Sequence, residues 1–139
     1  MAGNRTLAII KPDAFGSGKA GKIIAHLEAQ GFTVVCARVI HMTTAEAGAF
    51  YEVHKGRPFY GELVEFMSSG PCMPLLLQKA DAVAAYRAAI GATDPAEAAE
   101  GTVRKLYAES KGRNAVHGSD SDENARVEGL FFFGAAALV

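Results

Sequence analysis

Strand-like and helix-like segments alternate along this chain from end to end, with no linker, repeat or low-complexity stretch between them. That alternation restricts the chain to mixed architectures, in which a sheet must be covered by helices. Thr6 to Lys11 predicts a buried strand that stops at Pro12. Lys19 to Gln30 predicts a helix with Ala20, Ile23, Ile24 and Leu27 on one face, closed by Gly31. Phe32 to Met42, rich in valine and isoleucine, predicts a second strand, and Thr43 with Glu46 a capping box for a helix to about Val53. Phe59 to Met67 reads as another short helix broken by Ser69-Gly70-Pro71, and Cys72 to Lys79 as a third strand. Asp81 is expected to cap an alanine-rich helix that Gly91 ends, Asp94-Pro95 with Glu97 to open a short helix ending at Gly101, and Thr102 to cap the next. Ala115 to His117 predicts a short fourth strand, and Asp122 to Phe133 a last helix with Asp122 and Glu123 at its positive end. The order suggests an α+β or split-βαβ ferredoxin-like sheet with helices over it.

Bulk properties narrow the function. A chain of 139 residues, half of them hydrophobic, supplies one domain with a real core, expected over residues 1–139. Fourteen Lys plus Arg against fifteen Asp plus Glu leave a formal charge of −1, so nucleic acid is not indicated and any anion site must be local. Apolar runs such as Leu7 to Ile10 are far shorter than the ~20 residues of a membrane span, so no membrane partner is expected. The first residues carry no basic stretch with a long apolar run, so cytoplasm is the expected location. Cys36 and Cys72 are isolated and read as buried small side chains, neither metal ligands nor a disulfide framework.

The stretch Asn114-Ala115-Val116-His117-Gly118-Ser119-Asp120-Ser121 sets one histidine between a short apolar run and a helix start. Neutral imidazole attacks phosphorus well, and backbone N–H groups at a helix start favour anions, so phosphoryl chemistry is the first hypothesis for His117. Such chemistry needs cations near the moving group. Lys11 ends the first strand, where its side chain can leave the sheet edge, and Arg87 and Arg104 lie on helices otherwise light in charge. Either Phe59 or Tyr60, after Gly56-Arg57-Pro58, could stack on a planar base. Glu128 lies two turns into the last helix, whose side chains lean back toward His117, and could orient the imidazole. Gly16 to Lys22 satisfies the GxxxxGK spacing of a P-loop, but Ile23 stands where a Ser or Thr would hold Mg²⁺, and four residues separate it from the strand. A glycine-rich turn with exposed lysines is the simpler reading.

Taken together, Arg5 to Asp13, Arg57-Pro58-Phe59-Tyr60, Leu63 to Pro71, Gly91 to Pro95, Gly101 to Arg104 and Asn114 to Ser121 resemble the nucleoside diphosphate kinases nearly end to end. The resemblance implies a ferredoxin-like α+β fold with a four-stranded antiparallel sheet. It implies a ping-pong exchange through a phosphohistidine, maintaining nucleoside triphosphate pools, with His117 as nucleophile. It places Lys11 and Tyr51 near the transferred phosphate, Arg87, Thr93 and Arg104 in the phosphate-binding set, Asn114 with Lys11 on the sugar hydroxyls and Phe59 against the base. Glu128, supported by Ser119, takes the place of the carboxylate that orients the histidine. Mg²⁺ is expected on the nucleotide's phosphates and water, with no cage of side chains and Asp120 at most an outer contact. Lys111 departs from the pattern, falling where some relatives place an apolar residue against the base. The segment from about Ala92 to Asn114 resembles a subunit-contacting loop and implies a homo-oligomer, tetramer or hexamer; the tail Gly134 to Val139 does not choose between them. The rival readings are a P-loop NTPase using Lys22 and a non-catalytic phosphocarrier or nucleotide-binding regulator.

Overall fold

The apolar run Leu7 to Ile10 lies in β1 (Arg5–Ile10), which pairs antiparallel with β3 (Met73–Gln78) on one side and β4 (Val116–Gly118) on the other. β2 (Thr33–Ala37) joins the outer side of β3, giving the antiparallel order β2-β3-β1-β4, the ferredoxin-like α+β arrangement. The computed structural model describes residues 3–138; Met1, Ala2 and Val139, the outermost residues of the expected domain and tail, lie outside the described residues. A strand buried on both faces must be apolar at successive positions, and β1 meets that demand. Ala8 and Ile10 pack with Ile23 and Leu27 of α2 (Ala20–Ala29) and with Tyr86 and Ile90 of α5 (Ala82–Ile90). Leu7 and Ile9 face Ala47 of α3 (Thr44–Phe50), Met67 of α4 (Tyr60–Met67) and Phe132 of α7 (Asp122–Phe133).

Local chemistry accounts for most element boundaries. The Thr43–Glu46 capping box forms with both reciprocal bonds, Ser121 Oγ accepts from Asn124 N–H to open α7, and Thr102 Oγ1 accepts from Lys105 N–H to open α6 (Val103–Tyr107). Pro12 does not simply end β1. It opens α1 (Pro12–Gly16), because its fixed φ and missing N–H suit the first helical position. Asp81 precedes α5 as expected but makes no side-chain cap, since its backbone is left-handed at φ 53° and Ala82 N–H instead reaches Gly3 O. Asp94 Oδ1 does accept from Ala96 N–H, yet residues 94–101 form separate turns and no helix. Ala98 alone in that segment is buried, too little apolar surface to hold a helix of that length. β2 is shorter than expected; past Ala37 the edge segment touches the sheet again as a bridge from Ile40 to Cys72. Cys72 is buried as expected, whereas Cys36 on β2 is half-buried.

The P-loop geometry does not form. α1 directly follows the strand, Lys19 Nζ donates to Tyr107 O at 3.1 Å, and Lys22 is exposed on α2. Among the described residues no helix is long and apolar enough to cross a membrane.

Candidate active site

Antiparallel pairing sets His117 opposite Ile9, so its side chain shares the sheet face of Leu7 and Ile9 and points toward α7. Residues two apart on a strand share a face, and Ser119 therefore follows His117 toward the same helix. Glu128 on α7 closes the group. His117 Nε2 lies 2.8 Å from Glu128 Oε1, and Ser119 Oγ donates to that same oxygen at 2.8 Å. Ser119 is fully buried, and its Oγ also accepts from Leu7 N–H at 3.3 Å, which ties the carboxylate's support to β1. With Nε2–H donated to Glu128, the imidazole tautomer is fixed and Nδ1 keeps its lone pair. The imidazole and the carboxylate are 17% and 19% exposed, so the pair is sheltered yet reachable.

Neighbouring groups fix the ring further. Phe50 and Tyr51 meet it edge-on, with centroids 5.3 and 6.1 Å away. Tyr51 Oη is buried with no partner, and burial, then the charge of Glu128, then Cys72, push its phenol far above the ordinary range, so it stays protonated as a donor. On the opposite side of β4, Tyr86 Oη donates to His117 O at 3.2 Å, and its ring fills the space beside Gly118, where a Cβ would sit 2.7 Å from Tyr86 Cε2. Any larger residue at 118 would displace either the strand or that ring.

Two buried cations stand beside this group. Lys11 and Arg104 are each 9% exposed, and among the described residues neither belongs to an ion pair. Lys11 Nζ donates to Asn114 Oδ1 at 2.9 Å, while Asn114 Nδ2 donates to Thr93 O at 3.3 Å. Arg104 spends its guanidinium on backbone carbonyls: Nε to Asn114 O at 3.3 Å and the two terminal nitrogens to Gly91 O at 3.1 Å and Val116 O at 2.9 Å. Burial first, then the charge of Arg104, pulls Lys11 down to about 8, against an opposing pull from Asp13. Arg104 is likewise pulled down by burial and by Arg87, against Tyr86. Buried positive charge without a carboxylate partner is costly, and an anion placed between such groups relieves it.

Between the last cation and His117 the backbone is strained. Ala115 has φ +72°, and Val116 N–H donates across it to Asn114 O at 2.8 Å, closing a three-residue turn of the rare kind with a left-handed centre. An L-residue there costs about 1–2 kcal/mol, so surrounding bonds must hold it.

Arg87, Thr93 and Arg104 line one cleft of about 370 Å³ with Gly91 and Thr102, Arg87 and Thr93 being exposed. Gly91 at φ +85° leaves no room for a Cβ, which would lie 2.6 Å from Thr102 Oγ1. Phe59 is the exposed aromatic of its pair at 47%, while Tyr60 packs inward with its Oη donating to Gly48 O at 3.2 Å. Phe59 does not touch His117; the two are joined through ring contacts of His54 with Phe59 at 5.3 Å and of Tyr51 with His54 at 6.2 Å. Lys111 and Asp120 are both exposed, and Asp120 Oδ1 accepts from Asn124 Nδ2 at 2.5 Å. Among the described residues no group of three or more His, Cys, Asp or Glu side chains could hold a metal ion. Sequence reasoning did not single out Asp13, Phe50, His54 or Tyr86. Asp13 lay within a quoted motif, but the group it contacts lies 102 positions away and is a backbone N–H, invisible to any spacing pattern.

Comparison with known proteins agrees with this geometry. The profile of the nucleoside diphosphate kinase family matches residues 4–138. A nucleoside diphosphate kinase of Chlorobaculum parvum is 62% identical over 135 residues, covering 97% of this chain and 96% of that protein. A crystal structure of the Aquifex aeolicus nucleoside diphosphate kinase superposes with a TM-score of 0.94 at 43% identity, over 98% of this chain and 99% of that one. The structure of the enzyme from Encephalitozoon cuniculi gives 0.92 at 33% identity, over 97% and 92%.

Proposed function

Because the chain belongs to the nucleoside diphosphate kinase family and is thus a phosphotransferase, we propose that it carries a phosphoryl group from a nucleoside triphosphate such as ATP to nucleoside diphosphates through His117. The observation that carries this reading is the 2.8 Å bond from His117 Nε2 to Glu128, which leaves Nδ1 as the nucleophile. Nδ1 attacks the γ-phosphorus, a nitrogen–phosphorus bond forms, the bond to the bridging oxygen breaks, and the nucleoside diphosphate leaves. A second diphosphate then attacks the phosphohistidine and takes the group away, so one site serves donor and acceptor in turn. Glu128, braced by Ser119, stabilises positive charge on the imidazole as the bond forms.

Lys11, Arg87, Thr93 and Arg104 receive the phosphates, and the buried pair Lys11 and Arg104 supplies positive charge where negative charge spreads in the transition state. Tyr51 Oη, a protonated donor without a partner, joins them beside the transferred group. Lys11 and Asn114, already bonded to each other, turn to the sugar hydroxyls, and Phe59 offers its exposed ring to the base. Because every base has a π-face, such stacking discriminates poorly and suits a broad range of nucleotides. The donors at the phosphate side are cationic or neutral, which fits Mg²⁺ that arrives on the polyphosphate, with Asp120 at most an outer contact. When bound, Mg²⁺ would neutralise part of the phosphates' negative charge. On this reading the protein maintains nucleoside triphosphate pools in the cytoplasm as a homo-oligomer, tetramer or hexamer, built partly through the 92–114 segment.

The test is to mix the protein with Mg·ATP labelled in the γ-phosphate, remove free nucleotide, and add GDP. Acid-labile label that leaves the protein and returns as GTP supports the reading. Turnover without protein-bound label contradicts it.

A further inference from the structure

Asp13 is a buried acid beside the site to which the reaction above assigns nothing. It lies in α1, two residues after Lys11, and is 6% exposed. Its Oδ2 accepts from Ala115 N–H at 3.0 Å, whereas Oδ1 is buried with no partner. A carboxylate kept from water with half of its acceptor capacity unused is expensive to retain. What it grips is the central N–H of the strained turn, which the turn's own bond leaves unused. The turn's internal bond runs from Val116 N–H to Asn114 O, and Ala115 O accepts from Lys11 N–H at 2.8 Å. The Lys11–Asp13 segment therefore clamps Ala115 from both ends, by a backbone donor and a side-chain acceptor.

The residues on either side of Ala115 are the ones the chemistry uses. Asn114 places its amide on Lys11 Nζ and its carbonyl on Arg104 Nε, and Val116 starts the strand that carries His117. We propose that Asp13 is a positioning residue for phosphoryl transfer: its carboxylate holds Ala115 in the left-handed turn that sets Asn114 beside Lys11 and brings β4 into the register that aims His117 at Glu128. An L-residue stays at positive φ only while its surroundings over-determine it. Without the carboxylate, Ala115 N–H is buried and unpaired, and the turn relaxes toward ordinary backbone. Rigid peptide planes then carry the change to Asn114 and Val116. The contact of Arg104 with Asn114 O loosens in the same movement.

This role rests on the reading of His117 as the nucleophile, and the experiment separates the two. Formation of acid-labile phosphate from Mg·ATP is timed by rapid quench in the full-length wild type, Asp13→Ala, Asp13→Asn and the double variant Asp13→Ala with Ala115→Gly. Asp13→Ala is expected to slow labelling on the order of ten- to a hundredfold, the scale of a displacement near 1 Å at a reacting group. Glycine adopts positive φ without a clamp, so the double variant is expected to recover at least about tenfold of that loss. Loss of packing alone would not be repaired by removing a methyl group two residues from His117. Asp13→Asn keeps an acceptor oxygen, though a weaker neutral one, and is expected to fall less than Asp13→Ala. A double variant as slow as Asp13→Ala, with the fold intact by circular dichroism, overturns the proposal. If Asp13→Ala does not fold, the same cycle is run on Asp13→Asn, where glycine at 115 must restore most of the smaller loss and no recovery overturns the role. A wild type that takes no label contradicts the His117 reading and this role with it, whereas a labelled wild type with no rescue contradicts Asp13 alone.

Discussion

His117 and its partners are tied to the sheet by hydrogen bonds on every side, whereas Phe59 stands 47% exposed at the start of α4, with the ring of His54 at 5.3 Å as its aromatic neighbour. At the reaction centre two cations are 9% exposed and hold backbone carbonyls or an amide in advance of any substrate. At the proposed base platform nothing comparable is fixed, and Lys111 is exposed on its loop. On the proposed function, the difference accounts for one site taking many nucleotides. On that reading the phosphates, common to all nucleotides, meet preorganised groups, and the base, which varies, meets a loose surface.

The largest effect tests the fixed region. His117→Ala removes the proposed nucleophile, and protein-bound acid-labile phosphate is expected to vanish; label persisting in that variant breaks the comparison at its centre. Glu128→Gln keeps the nucleophile but weakens its orientation, and rapid-quench labelling is expected to slow by roughly ten- to a hundredfold. An unchanged rate would remove Glu128 from the mechanism.

Next comes pH. Lys11, pulled down to about 8 chiefly by burial, loses its charge within the working range of an assay. The labelling rate at low nucleotide is expected to fall by about tenfold per pH unit above pH 8, and a profile flat to pH 10 would contradict a charged Lys11 at the phosphate. Stability should move the other way. Between pH 8 and 10 the unfolded chain still carries the Lys11 proton that the folded chain has lost, so folding strengthens with pH, by about 3 kcal/mol over the full span to 10.5. Above pH 10 the buried phenols of Tyr51 and Tyr86, both pushed up by burial, work in the opposite sense. Denaturant titrations of wild type and Lys11→Met across that window isolate the contribution; equal slopes would show that the ammonium is not strained by burial.

The smallest effect belongs to the loose region. Phe59→Ala is expected to raise KM for nucleotides by about two- to twelvefold, the equivalent of about 0.5–1.5 kcal/mol of stacking, with the loss in KM and not in kcat. A fall in labelling rate as large as that of Glu128→Gln would show that the two regions are not separate.

What could be read in the sequence follows the same division. The last helix was legible at both ends, its start marked by Asp122 and Glu123 in the first turn. Glu128 could be aimed at His117 from helical geometry alone, since both ends of that contact lie within 11 residues. The capping box at Thr43 was legible for the same local reason. Long-range contacts to backbone were not. Tyr86 reaches His117 O across 31 residues, and Asp13 reaches Ala115 N–H across 102, through bonds that leave no pattern in side-chain types. The left-handed backbone at Ala115 was hidden for another reason: alanine gives no sign of positive φ, as glycine or asparagine would. Pro12 marked the end of the strand correctly, but the short helix it opens was not legible, because one proline can both end a strand and begin a helix.

The central claim is that Glu128 occupies one ring nitrogen of His117 and so dictates which nitrogen is phosphorylated. The most direct test is to trap the phosphoenzyme after reaction with Mg·ATP and assign the isomer by nuclear magnetic resonance of the phosphohistidine. The account predicts phosphate on Nδ1 alone, with Nε2 still donating to Glu128; phosphate on Nε2 would contradict it.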